Sequence, residues 1–183
     1  MKNPFRVGNS IYLRPLERED APLFVVWLND PEVTDTLNVF RPIDLASEEE
    51  FIATIPKSEH DFVFGVALTD TDQLIGTTGL HDIDWKNRHA AFGINIGAKQ
   101  EWNKGYGTEA TRLTMTYAFE TLNLHRVRLL VFEGNARAIR TYEKVGFQHE
   151  GTLREDRFHR GRYWNTLTMA LLRDEWERKR AAD

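Results

Sequence analysis

The 183-residue chain contains no cysteine, and that absence removes disulfides, thiolate metal sites and cysteine nucleophiles together. Long apolar runs are missing as well. Stretches free of Asp, Glu, Lys and Arg extend to about ten residues, against the roughly 18 that a membrane helix needs, so no spanning segment is expected. The opening residues MKNPFRVGNS lead into no apolar run, which makes the cytoplasm the expected compartment. Internal repeats, low-complexity tracts and Ser/Gly/Pro linkers are also lacking, so residues 1–183 are expected to form one domain. What remains is the composition of a globular protein, 41% hydrophobic and 28% charged, long enough to bury one core.

The formal charge of -4 conceals a division. Residues 1–122 carry 11 basic and 19 acidic side chains, whereas residues 123–183 carry 13 basic and 9 acidic. Between Asp20 and Asp61 there are ten acids, including the run Glu48, Glu49 and Glu50, against only Arg41 and Lys57. Such a run reads first as a solvated helical face and second as a field that attracts a cationic substrate. Basic residues are scattered rather than gathered in a patch, so a nucleic-acid partner is not expected.

Hydrophobic periodicity gives an alternating order of elements. Ile11–Leu16 reads as a strand, followed by a helix over Glu17–Asn29 with Ala21, Phe24, Val25 and Leu28 at i, i+3, i+4 and i+7 and with Pro31 as its stop. Ser47 then reads as the cap of a second helix, since Glu50 stands at capping-box spacing. Phe62–Thr69, Gln73–Leu80 and Arg88–Gly97 read as an antiparallel meander. Beyond it Ala110, Leu113, Tyr117, Ala118 and Leu122 form a helical stripe, and Arg126–Phe132 has the apolar run of a strand buried on both faces. A further helix starts at Asn135, buries Ala138, Ile139, Tyr142 and Val145, and ends at Gly146. Glu150–Glu155 and Tyr163–Leu172 close the chain as a hairpin around Gly161. The sum is a mixed α/β domain of about seven strands.

Chemistry concentrates in Gln100–Ala110, QEWNKGYGTEA, between a strand and a helix. A helix N-terminus presents unpaired N–H groups and a partial positive charge, and glycines let a phosphate approach the backbone. The segment is neither a P-loop, since Thr108-Glu109 follows Gly107, nor a complete G-x-G-x-x-G, since Ala110 fills the third place. A second motif, NARAIRTYEKVGF, spans Asn135–Phe147. Together with LRPLEREDA, WLNDPEV and EGTLREDRFHRGRYWNTLTMALLRDEW, in this order along most of the chain, the two motifs resemble the GNAT superfamily of acetyl-coenzyme-A-dependent N-acetyltransferases. Within it, the chain is similar to the branch that acetylates ribosomal-protein N-termini, polyamines and amino sugars.

That resemblance implies a mixed, mostly antiparallel seven-stranded sheet with about four helices, its fourth and fifth strands splayed into a wedge for the pantetheine arm of acetyl-coenzyme A. It implies that backbone N–H groups of Asn103, Lys104, Gly105, Tyr106, Gly107 and Thr108 hold the pyrophosphate, with the Lys104 side chain as an added cation. Ile94, Asn95 and Ile96 would offer main-chain partners to pantetheine, one N–H polarising the thioester carbonyl. Asn135 matches the asparagine that binds the cofactor arm, and Tyr142 the tyrosine that protonates the departing thiolate. By spacing alone, Tyr142 is equally well placed as a core residue. The acceptor would be a small-molecule amine or a protein N-terminus, with an amino sugar as alternative; no metal is implied, and a homodimer is compatible.

Direct aminolysis needs no covalent intermediate, which agrees with a chain lacking cysteine. Two departures stand out. Trp102-Asn103 replaces the usual start of the pyrophosphate loop, a mark of the N-terminal-acetylating branch. More seriously, Ala91 stands where many members carry a glutamate base, leaving Asp82, Asp84, His81, Glu101 or a water chain as candidates. A non-catalytic acyl-coenzyme-A sensor and an ATP-binding protein are the rival readings.

Overall fold

The computed structural model describes residues 1–182. Eight strands form one sheet in the order β1-β2-β3-β4-β5-β6-β8-β7. They are β1 (Arg6–Val7), β2 (Ile11–Arg14), β3 (Phe62–Leu68), β4 (Leu74–Asp84), β5 (His89–Ile96), β6 (Arg126–Phe132), β7 (Gln148–His159) and β8 (Arg162–Leu172). Every neighbouring pair is antiparallel except β5 and β6. The mixed α/β class stands as expected, but the count is eight rather than seven. The added strand, β1, is two residues long, too short to show a period in the sequence.

Six helices accompany the sheet: α1 (Ala21–Leu28), α2 (Pro31–Thr34), α3 (Leu45–Thr54), α4 (Tyr106–Thr116), α5 (Ala136–Val145) and α6 (Arg173–Ala182). Two expectations about their ends need correction. Pro31 does not only stop α1; it opens α2 at the first position, where its missing N–H is harmless. α3 is capped by Asp44, whose carboxylate accepts from the Ser47 N–H at 2.9 Å and the Ser47 hydroxyl at 2.8 Å. Asp44 makes with the Ser47 N–H the bond that a Ser47 cap would have made with the Glu50 N–H, so the helix begins before Ser47. Likewise, β6 is not buried on both faces: Val127, Leu129 and Val131 are buried, but Leu130 is exposed.

Register defines where the molecule opens. β5 and β6 pair in parallel only at His89↔Arg126, Ala90↔Val127 and Ala91↔Arg128, and beyond Ala91 they part. Alternation along β5 sends Ala90, Phe92 and Ile94 to one face and Ala91, Gly93 and Asn95 to the other. α4 and α5 cover the first face. Thr114 of α4 hydrogen-bonds Thr78, the partner of Ile94, at 3.0 Å, and Tyr142 of α5 meets Phe92 edge-on with centroids 6.1 Å apart. α1 lies on the second face, where a Cβ on Gly97 would fall 2.2 Å from the Trp27 ring. Under α1, a buried ion pair ties β2 to the turn before the helix: Arg14 donates to both Asp20 carboxylate oxygens at 2.8 and 2.7 Å.

Candidate active site

The parting of β5 from β6 leaves a cleft of about 260 Å³, walled by β5, the loop into α4, α5, and Val33, Thr36 and Leu37 in and after α2. Ile94, Asn95, Ile96, Asn103, Gly105, Tyr106, Gly107, Thr108, Asn135 and Tyr142 all line it. Lys104 does not; its ammonium is 3.0 Å from the Glu101 carboxylate, a lining group of the same cleft.

At the open mouth, the chain turns into α4 through two residues in the left-handed region, Asn103 at φ 63° and Gly105 at φ 89°. The second conformation favours glycine because a Cβ there crowds the following carbonyl. Thr108 and Glu109 N–H already bond back to the Gly105 carbonyl at 3.0 and 3.1 Å, while those of Tyr106 and Gly107 lie in the first turn without intrahelical acceptors. A Cβ added at Gly105 or Gly107 meets nothing within 4 Å, so the space over these N–H groups is open to an anion. Trp102 pins the loop to the strand end: its indole N–H donates to the Ile96 carbonyl at 2.6 Å, and Arg137 stacks on its ring at 4.0 Å.

Arg137 was not singled out by sequence. Burial lowers the proton affinity of its guanidinium, and it lines the cleft together with Arg140 and Lys144. These three stand at i, i+3 and i+7 on α5, a spacing that puts them on one helical face and was legible in the sequence. They supply the cationic lining that had been assigned to Lys104. Asn135 caps α5 through Oδ1, which accepts from the Ala138 N–H at 3.1 Å, and this leaves its amide nitrogen for a ligand.

Tyr142 lines the interior of the cleft. α5 ends in a left-handed Gly146 at φ 115°, with the Phe147 N–H on the Tyr142 carbonyl at 3.0 Å, the Schellman geometry. Phe147 folds back onto Tyr142 with ring centroids 5.9 Å apart, so helix termination itself fixes the phenol. Burial pushes the Tyr142 hydroxyl up to about 12. It therefore holds its proton across the neutral range and can donate it only to a strong base formed beside it. An anion cradle, a strand edge with unpaired peptide groups and a buried phenol suit a long phosphorylated thioester that delivers an acyl group near the apex of the wedge.

Comparison with known proteins agrees with that chemistry. The model of the acetyltransferase (GNAT) domain family matches residues 10–148. The chain is 32% identical to the uncharacterized N-acetyltransferase p20 of Bacillus licheniformis, over 90% of this chain and 93% of that protein. It is 30% identical to the spermidine N(1)-acetyltransferase of Escherichia coli (strain K12), over 92% of this chain and 89% of the other. Among solved structures, the spermidine N-acetyltransferase from Vibrio cholerae in complex with CoA and spermine superposes with a TM-score of 0.85, at 29% identity, covering 93% of this chain and 99% of that one.

Proposed function

The chain belongs to the GNAT acetyltransferase family, and on that premise we propose that it transfers acetyl from acetyl-coenzyme A directly to a primary amine of a polyamine. The observation that carries the proposal is the wedge opening beyond Ala91 and Arg128, with a glycine-led helix end at its mouth and Tyr142 inside. Acetyl-coenzyme A supplies the acetyl group as a thioester, and the open space at Gly105 and Gly107 fits its pyrophosphate. The N–H groups of Tyr106 and Gly107 bind that pyrophosphate, and Arg137, Arg140 and Lys144 compensate its charge. Along Ile94–Ile96, β5 has no β6 partner, and although Trp102 takes the Ile96 carbonyl, one N–H there polarises the thioester carbonyl. Tyr142 gives its proton to the sulfur as the carbon–sulfur bond breaks.

The polyamine acceptor is supported by the two spermidine acetyltransferases named above. The test is release of free thiol from acetyl-coenzyme A with spermidine, spermine, N-terminal peptides and amino sugars in parallel. Fastest release with a polyamine is the expected result. A faster peptide or sugar overturns the acceptor, and coenzyme A binding with no amine-dependent thiol release overturns catalysis in favour of a sensor. ATP is expected to compete poorly with coenzyme A in the same assay.

A further inference from the structure

Acetyl transfer needs a group to take the proton from the attacking amine, and Ala91 provides none. The Cα partner of Ala91 on β4 is His81. Just after it the strand bulges, with Asp82 held at φ 50° and the register shifted before Asp84. The imidazole leans along the sheet over two glycines: Nε2 lies 3.3 Å from where a Cβ of Gly79 or Gly93 would stand. Gly93 is two residues past Ala91, the last point of β5–β6 pairing, on the face that α1 covers elsewhere. A thioester held by its pyrophosphate at Gly105 and running along Ile96 and Ile94 would point toward Gly93, over which the His81 ring leans from outside the lining of the cleft.

Its other nitrogen is engaged. Nδ1 is 3.3 Å from Asp61 Oδ1. Asp61 is fixed in turn by the Ser58 hydroxyl at 2.9 Å and more weakly by the Asp82 N–H at 3.4 Å. Burial alone would raise the Asp61 carboxyl, but these donors and His81 bring it below the usual carboxylate range, so it stays ionised. A carboxylate on Nδ1 selects the tautomer whose Nε2 has a free lone pair. On the facing strand, Arg128 of β6, the partner of Ala91, stands 4.0 Å from the Asp82 carboxylate. Other candidates are occupied: Asp84 binds the Asn87 N–H and amide at 2.8 and 2.7 Å, and Glu101 binds Lys104.

We propose that His81 is the general base of this enzyme and that Asp61 is its positioning residue. The inference rests on the acetyl-transfer reading. Nε2 takes a proton from the amine as the nitrogen lone pair bonds to the carbonyl carbon; the carbon–sulfur bond then breaks with its electrons on sulfur, and Tyr142 protonates that sulfur. Partial exposure of His81 and Asp61, at 40% and 43% of their side chains, lets the captured proton leave to water.

The test measures amine-dependent thiol release against pH for wild type, His81→Gln and His81→Ala, with coenzyme A affinity by calorimetry on each. Expected are a loss of about 10²- to 10⁴-fold in kcat/KM for the amine in both variants and loss of the acid limb of the profile, with coenzyme A affinity unchanged. Added imidazole should restore part of the rate in His81→Ala but not in His81→Gln, whose side chain fills the space. Asp61→Asn should lower kcat/KM for the amine with coenzyme A affinity unchanged, because Nδ1 loses the acceptor that orients the ring and fixes its tautomer. A wild type that turns over beside an equally active His81→Gln overturns the base and leaves acetyl transfer standing. So does a rate loss accompanied by weakened coenzyme A binding and no imidazole rescue, which marks a structural histidine. A wild type that releases no thiol with any amine overturns acetyl transfer and the base with it.

Discussion

Tyr142→Phe removes one oxygen from the middle of the cleft and leaves the ring where it is. The contacts that hold the ring, Phe92 at 6.1 Å and Phe147 at 5.9 Å, are made by carbon and survive the change, as does the backbone bond from Phe147. Folding and coenzyme A affinity should therefore be nearly unaffected. The phenol's proton is what is lost, and a positioned general acid contributes about 10²- to 10⁴-fold, or about 3–5 kcal/mol of the barrier. A hydroxyl at about 12 is a weak acid toward a thiolate in water. In this site the leaving thiolate is desolvated by the same walls, so its proton affinity rises alongside that of the phenol and the transfer stays balanced. The assay is thiol release at saturating acetyl-coenzyme A and amine, with single turnover to separate chemistry from product release. Wild-type kcat should also lack an alkaline limb from this group up to about pH 10, given a pKa of about 12. A Tyr142→Phe enzyme with wild-type single-turnover rate refutes the role outright, and an alkaline limb near pH 8 that vanishes in the variant refutes the stated protonation.

Three further outcomes test the site and its support. Gly107→Val should leave Tm unchanged, since its Cβ meets nothing within 4 Å, while coenzyme A affinity measured by calorimetry falls at least about tenfold as the branches enter the anion space; tight binding by the variant removes the cradle from this loop. Asp20→Asn should cost about 3–5 kcal/mol, read as a Tm drop of about 10 °C, because it leaves the Arg14 guanidinium buried without its charge partner. Burial alone would raise Asp20, but Arg14 holds it below the ordinary value, so its contribution is present above the unfolded pKa of about 3.9 and lost as pH falls through the lower folded value; a wild-type stability flat from pH 5 to about pH 2 contradicts this. Glu48 is the reverse case: buried on α3 without a partner among the described residues, it is raised by burial alone. Glu48→Gln should therefore stabilise at pH 7, an advantage that fades as pH falls below the unfolded carboxyl's value of about 4.3, and urea unfolding on both sides of it checks this.

What could be read from the sequence is what local chemistry fixes. A glycine pair before an apolar stripe, an asparagine cap and a Gly146 stop each act within one turn, so α4, α5 and the cleft residues on them were placed closely. The β3–β4–β5 meander and the β7–β8 hairpin stand as read, but pairing between segments far apart could not be read. The wedge depends on β5 and β6 ending their ladder at Ala91 and Arg128, contacts between segments far apart in the chain. The Arg14–Asp20 pair and the Trp102 bond to the Ile96 carbonyl each join residues only six apart, but they depend on side-chain geometry that no spacing rule encodes. Lys104 stands in the loop where the resemblance puts it, its half-exposed ammonium 3.0 Å from Glu101, a contact that its spacing of three residues allows. The shared face of Arg137, Arg140 and Lys144 was legible in their spacing, but the stacking of Arg137 on Trp102 was not.

The acidic stretch from Asp20 to Asp61 changes meaning most. Read as charge alone, it suggested a field that draws in a cation. In the fold, Asp20 faces Arg14, Asp30 and Glu32 share Lys99, and Asp35 meets Arg160 and His159. Glu49 takes Arg18, Asp44 caps α3, and Asp61 orients His81. Four cations, Arg14, Arg18, Lys99 and Arg160, thus stand against five of the ten carboxylates, so the field that simple counting implies is reduced but not abolished. A polyamine can then be drawn by the unmatched acids and selected by groups near the amine beyond Gly93, the end of the wedge where β5 carries Ala91 in place of the expected carboxylate and the His81 imidazole leans over Gly93 from the neighbouring strand.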